Sequence, residues 1–173
     1  MKKIYVLAAS ALMSLQAISQ TSFFTTTNYR GAFAPAPTVM WTDTWTEWDP
    51  QNANYPAPNT TVSGNITTNT TWTSGSVVNL QGQVFVNNNA VLTIEPGVIV
   101  RCSKAVAGTG LFITKGAKLM ANGTANSPIV FTSDQAAGSR GLGDWGGIIL
   151  MGKANNNNAS GLNNIEGLAI SAE

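Results

Sequence analysis

Three tryptophans and a handful of charged loop residues are the groups in this chain whose types and spacing could do chemistry. Trp41, Trp45 and Trp48 recur at i, i+4 and i+7 within WTDTWTEWDP. That interval places three indoles on one face of a short helix, which must end before Pro50 because a proline pushes its predecessor out of the α region. Such a stripe can stack on sugars through apolar and C–H contacts, so the three residues form a candidate carbohydrate platform. A structural reading competes: the same stripe would plug the open amino-terminal end of a repeat stack, since terminal repeats need a cap. Asp134, Arg140 and Asp144 share one Gly-rich corner, SDQAAGSRGLGDWGG, and could converge there. The plainer expectation is a solvated loop with Arg140 paired to a neighbouring acid. Glu95, in EPG, reads as part of a turn, with proline presetting φ and glycine allowing a positive one.

Other chemistries are closed off by composition. The chain has no histidine, which removes the commonest general base, the Ser-His and Cys-His pairs, and most zinc sites. Cys102 is the single cysteine, so no internal disulfide can form, and it reads as a small buried hydrophobe. The formal net charge of +1 includes Lys2 and Lys3, and no basic run exists, so nucleic acid is not an expected partner. Only 10% of residues are charged, too few for the outer faces of a helical bundle.

The elements that must position these groups begin after an address. Residues 1–19 combine a positive start (Met1-Lys2-Lys3), an apolar run from Ile4 to Leu15 and small residues at Ala17 and Ser19. That pattern predicts a signal peptide cleaved after Ser19 and an exported product, extracellular or on the outer cell surface. The apolar run is too short to span a bilayer, so no transmembrane span is expected in the mature chain. Residues 20–60 read as an irregular, Trp-rich cap in which Pro35, Pro37, Pro50, Pro56 and Pro58 forbid long ladders.

From residue 61 to 173 the pattern becomes short β-branched runs separated by Gly and Asn. Expected strands are 77–80, 84–86, 91–94, 98–101, 111–113, 118–121, 129–132, 148–151 and 165–167. They repeat. Val84-Phe85-Val86 with Ala90, Leu92 and Ile94 returns as Leu111-Phe112-Ile113 with Ala117, Leu119 and Ala121. Val98-Ile99-Val100 returns as Ile129-Val130-Phe131, SKAVAG (103–108) echoes SDQAAG (133–138), and a weaker copy starts at Gly147. Short strands repeating at this period without crossover helices predict an all-β, right-handed parallel β-helix, represented by its first few rungs. Like residues should stack as inward ladders, Phe85 under Phe112 and Leu92 under Leu119. A β-sandwich or a jelly roll is the alternative, and either would show antiparallel hairpins.

The chain resembles the large exported β-helix proteins of Bacteroidota that leave through the type IX secretion system. The residues that carry the likeness are Arg30 to Phe33 with the Trp41–Pro50 box, LTIEPG (92–97), GLFITKGAKLMANGTANSPIVFTS (110–133), GDWGG (143–147) and NIEG (164–167). The resemblance implies a pectate-lyase-like helix and display or release at the cell surface. In pectate-lyase-like enzymes, carboxylates on one face hold Ca²⁺ while an arginine or lysine takes a proton from the sugar. On that analogy Asp134 and Asp144 are candidate metal ligands and Ca²⁺ a candidate ion. The sequence specifies no cage of the six or more oxygens such an ion wants. Relatives of this kind are longer and end in a sorting domain, so a chain stopping at Ser171-Ala172-Glu173 reads as a fragment. Two functions are compatible. One is a structural or adhesive surface module, without catalysis, facing a polysaccharide or cell-surface component. The other is the first part of a carbohydrate-active enzyme, a lyase or hydrolase, whose active residues lie beyond Glu173.

Overall fold

Runs of alternating apolar residues make strands here because every second side chain can leave water on one side of a pleated ribbon. In the computed structural model, which describes residues 28–31, 33–35, 37–43, 45–155, 157 and 161, ten such strands wind through four successive coils. Coil one holds β1 (Thr60–Ser63) and β2 (Thr70–Trp72). Coil two holds β3 (Val77–Gln81), β4 (Gln83–Val86) and β5 (Val91–Ile94). Coil three holds β6 (Ile99–Cys102), β7 (Gly110–Ile113) and β8 (Lys118–Ala121). Coil four holds β9 (Val130–Ser133) and β10 (Ile148–Leu150). Equivalent strands stack into three sheets, β1-β3-β6-β9, β4-β7-β10 and β2-β5-β8, and every pairing between named strands is parallel. This is a parallel β-helix; the antiparallel hairpins of a sandwich or jelly roll are not what joins these strands.

The expected registers hold. Val84, Phe85 and Val86 lie beside Leu111, Phe112 and Ile113, and Leu92 lies beside Leu119. Ile99 and Val100 lie beside Val130 and Phe131. Ile148 to Leu150 continue the β7 ladder as the weaker copy. Two expectations need correcting. The phenylalanine ladder is outside, not inside: Val84, Val86 and Leu111 are fully buried in the core, so alternation turns Phe85 and Phe112 to the outer face, where their rings stack 4.7 Å apart. The echo of 103–108 in 133–138 is also one residue out of step with the ladder, in which Cys102 meets Ser133.

Inward ladders make the core. Val62, Leu80 and Cys102 form one, and Val78, Val100 and Phe131 another. Trp72 and Ile94 form a third, which Ala121 continues in register but exposed. Full burial of a side chain such as Leu80, Leu92 or Leu111 stabilises the fold by about 1.5–3 kcal/mol. The backbone closes the rest, since each coil's N–H and C=O groups pair with the coil above or below. Cys102 is buried on this inner face, and burial, with the Asp134 charge adding to it, pushes its thiol up to about 12.

The chain divides into two compact units, residues 1–43 and 44–173. In the first, Phe33 stacks on Trp41 with centroids 6.1 Å apart, and Asp43 Oδ2 accepts the Met40 N–H at 2.8 Å. The helix expected across Trp41–Pro50 does not form among the described residues, which are turns and bends. Asp43 and Glu47 instead accept the backbone N–H groups of Met40 and Asp49, local bonds that compete with helix. In the second unit, residues 45–59 form a strap along the outer face of the β1-β3-β6-β9 sheet. Arg101 reaches Pro56 O at 3.0 Å, and Asn59 exchanges two hydrogen bonds with Val77. Residues 1–19 and the expected strand at 165–167 lie outside the described residues.

Candidate functional site

The corner between β9 and β10 carries the charged residues singled out from the sequence, and it divides them. Asp134 and Asp144 do come together, on a residue the sequence did not flag: Lys104, from the equivalent corner one coil below. Lys104 Nζ lies 2.8 Å from Asp144 Oδ1, and its backbone N–H is donated to Asp134 Oδ1 at 3.1 Å. Asp144 is buried, and its other oxygen accepts Ser133 Oγ at 2.7 Å and the Gly141 N–H at 3.0 Å. Lys104, then the Gly141 amide, then Ser133 hold its carboxyl down at about 2, outweighing the opposing effect of burial. Asp134 Oδ1 also accepts Gln135 Nε2 at 2.7 Å. The donor set does not fit Ca²⁺. Asp144's oxygens are occupied by an ammonium, a hydroxyl and an amide, and a lysine cation stands where the metal's charge would be. Among the described residues no group of three metal-binding side chains forms.

Arg140 goes elsewhere, and not to an acid as expected. It is buried, and Nη1 donates to the carbonyls of Ala53 at 2.6 Å, Pro50 at 2.7 Å and Gln51 at 3.3 Å. Its guanidinium lies 4.9 Å from the centre of the Tyr55 ring, a cation–π distance. Gln51 Nε2 returns a bond to Arg140 O at 3.1 Å, and Gly138 N donates to Gln51 O at 2.8 Å. A planar, always-charged fork suits this role, because it can gather several carbonyls from an irregular segment. Arg140 therefore fastens the strap to coil four.

Trp41 belongs to the first unit, and Trp45 and Trp48 to the second. Trp45 does not cover coil one. It walls two adjoining hollows at coil four, one of about 510 Å³ with Tyr55, Glu47, Phe131 and Thr132, the other of about 370 Å³ with Ala121, Thr124 and Pro128. Trp48 is 65% exposed and lines neither hollow. The tryptophan that fills the interior of coil one is Trp72, 5% exposed and beside Ile94. Its cue was present, an aromatic in a Thr-rich run one rung below Ile94, but without the rung its inward direction could not be read. At the other end Trp145 stacks on Phe131 with centroids 6.5 Å apart and packs against the core. Gly146 and Gly147 let that corner close, donating to Thr109 O at 2.7 Å and accepting from Leu111 N at 3.1 Å respectively.

Glu95 is a turn residue as read: its Oε2 accepts the Ser74 N–H at 2.8 Å and Gly97 follows at φ 80°. Glu166 lies outside the described residues. No helix among the described residues is long and apolar enough to cross a membrane.

Comparison with known proteins agrees with the coil geometry. No curated protein and no solved structure matches the chain. A family model described as a pectate-lyase-like beta helix domain matches residues 64–170, which spans the stack from the end of β1 onward. By its three parallel sheets and by this match, the chain belongs to the family of pectate-lyase-like β-helix domains.

Proposed function

We propose that the protein is a secreted or cell-surface structural and adhesive module with no catalytic activity of its own. The observation that carries this reading is the employment of its charged groups. Asp144 is held by Lys104, Ser133 and Gly141, and Arg140 by three carbonyls of the strap. A carboxylate pulled down to about 2 and a guanidinium locked onto carbonyls are brackets within the fold, poorly placed to exchange protons with a sugar. What they brace is a stiff spine carrying loops, with the Ser133–Trp145 corner as the largest described.

The export reading rests on residues 1–19, and the assignment to the type IX route of Bacteroidota on the resemblance above. The partner is a polysaccharide or another cell-surface component. The family match equally suits the first part of a carbohydrate-active enzyme, and one experiment separates the two. The natural full-length product, recovered from its own cells, is incubated with a panel of polysaccharides with and without Ca²⁺. Reducing ends and unsaturated sugars are followed over time. Retention without product release is the expected result; turnover would replace the module reading by the enzyme reading. Sequencing the same material should find Gln20 first, and a chain beginning at Met1 would refute export by this signal.

A further inference from the structure

The strap does more than cross the sheet: it leaves a channel between itself and coil four. The two hollows walled by Trp45 meet along Pro128 and Ile129, which line both. Trp45 and Tyr55 wall this channel from the strap, Phe131, whose ring also belongs to the core ladder, closes it from coil four, and Thr46, Thr124 and Thr132 line it as well. Among the described residues that line it, one carries a carboxylate, Glu47; its Oε1 accepts the Asp49 N–H at 2.9 Å. Arg140 lies against Tyr55, with Nη1 donating to strap carbonyls.

From this composition we infer that the channel is a binding groove for a neutral polysaccharide chain. The inference deepens the adhesive reading above and rests on it. Sugar rings present an apolar C–H face and a polar edge, which matches aromatic walls with hydroxyls and a carboxylate at their margins. A uronate or sulfated chain would bring its negative charge against Glu47, with no cation among the described residues that line the groove, and like charges repel. A neutral hexose polymer meets no such penalty, and its hydroxyls donate to the carboxylate.

The test uses the full-length secreted protein in affinity electrophoresis and titration calorimetry. The probes are β-glucan, mannan and starch oligosaccharides, set against polygalacturonate oligosaccharides. At least one neutral probe should bind, and polygalacturonate should bind more weakly. Trp45→Ala should weaken the neutral probe about tenfold or more, as loss of a central aromatic anchor does. Trp48→Ala, outside the groove, should leave it unchanged. Glu47→Lys should shift preference toward polygalacturonate; this arm keeps the test decisive if Trp45→Ala fails to fold, which its melting curve would reveal. Binding that survives Trp45→Ala in a folded variant, a preference for polygalacturonate in the unmodified protein, or no binding to any neutral probe would each overturn the groove. Glycan cleavage with binding intact would instead remove the module reading and leave the groove standing.

Discussion

The interior of the stack and the strap on its outside are held by opposite means. Inside, each coil repeats the last: Leu80 on Val62, Leu111 on Val84, Ile113 on Val86, with many small apolar contacts sharing the burden. Outside, the strap follows no repeat, and much of its attachment passes through Arg140 and Arg101. Periodic burial spreads stability over many residues, whereas an irregular segment concentrates it in a few polar anchors. The first arrangement should fail gradually and together, the second locally and alone.

That contrast can be broken most forcefully from the inside. Leu111→Ala should destabilise the whole protein by about 2–5 kcal/mol, because a fully buried side chain leaves a cavity its neighbours fill only in part. Denaturant unfolding followed by circular dichroism would read this, and a loss confined to coil four would refute the shared core. Arg140→Met keeps the aliphatic bulk and removes the fork. We expect about 2 kcal/mol, since hydrogen bonds to a charged group are lost while the freed carbonyls regain water. Its signature should be local: protease cleavage between residues 45 and 56 before the sheet signal changes. The smallest effect concerns the Lys104–Asp144 pair. The folded carboxyl sits at about 2, below its ordinary 3.8, so the pair's contribution is full above about pH 4 and disappears as pH falls toward 2. Melting temperature against pH should show this loss in the native protein and not in Asp144→Asn.

Much of the stack was legible because its signal is periodic. Val84–Ile94 and Leu111–Ala121 have the same length and order of apolar residues, and their registers followed directly. The repeat pairs Phe85 with Phe112 but does not give the face; alternation does, since with valine on both sides the ring has to point out. β1 and β2 went unrecognised because TTVS and TTW are mostly hydroxyl residues, whose strand character comes from pairing with β3 and β5. The site was less legible still. Nothing in the sequence joins Arg140 to Pro50 or Lys104 to Asp144, since these contacts exist only once the coils are stacked. The helix at Trp41–Trp48 failed for a related reason: spacing alone cannot supply a partner for an indole stripe.

The corners between the first and second sheets grow from coil to coil. Gly82 alone joins β3 to β4, residues 103–109 join β6 to β7, and residues 134–147 join β9 to β10. On the neighbouring side, residues 87–90 and 114–117 keep one length. The long corner is pinned at Arg140 and Asp144, and Leu142 between them stands fully in solvent. Residues added at that tip would lie outside the rungs and would cost only the Gly141–Asp144 bonds that close it. One edge of the spine is a port for diversification, and a foreign epitope carried there would be displayed on a scaffold indifferent to its cargo.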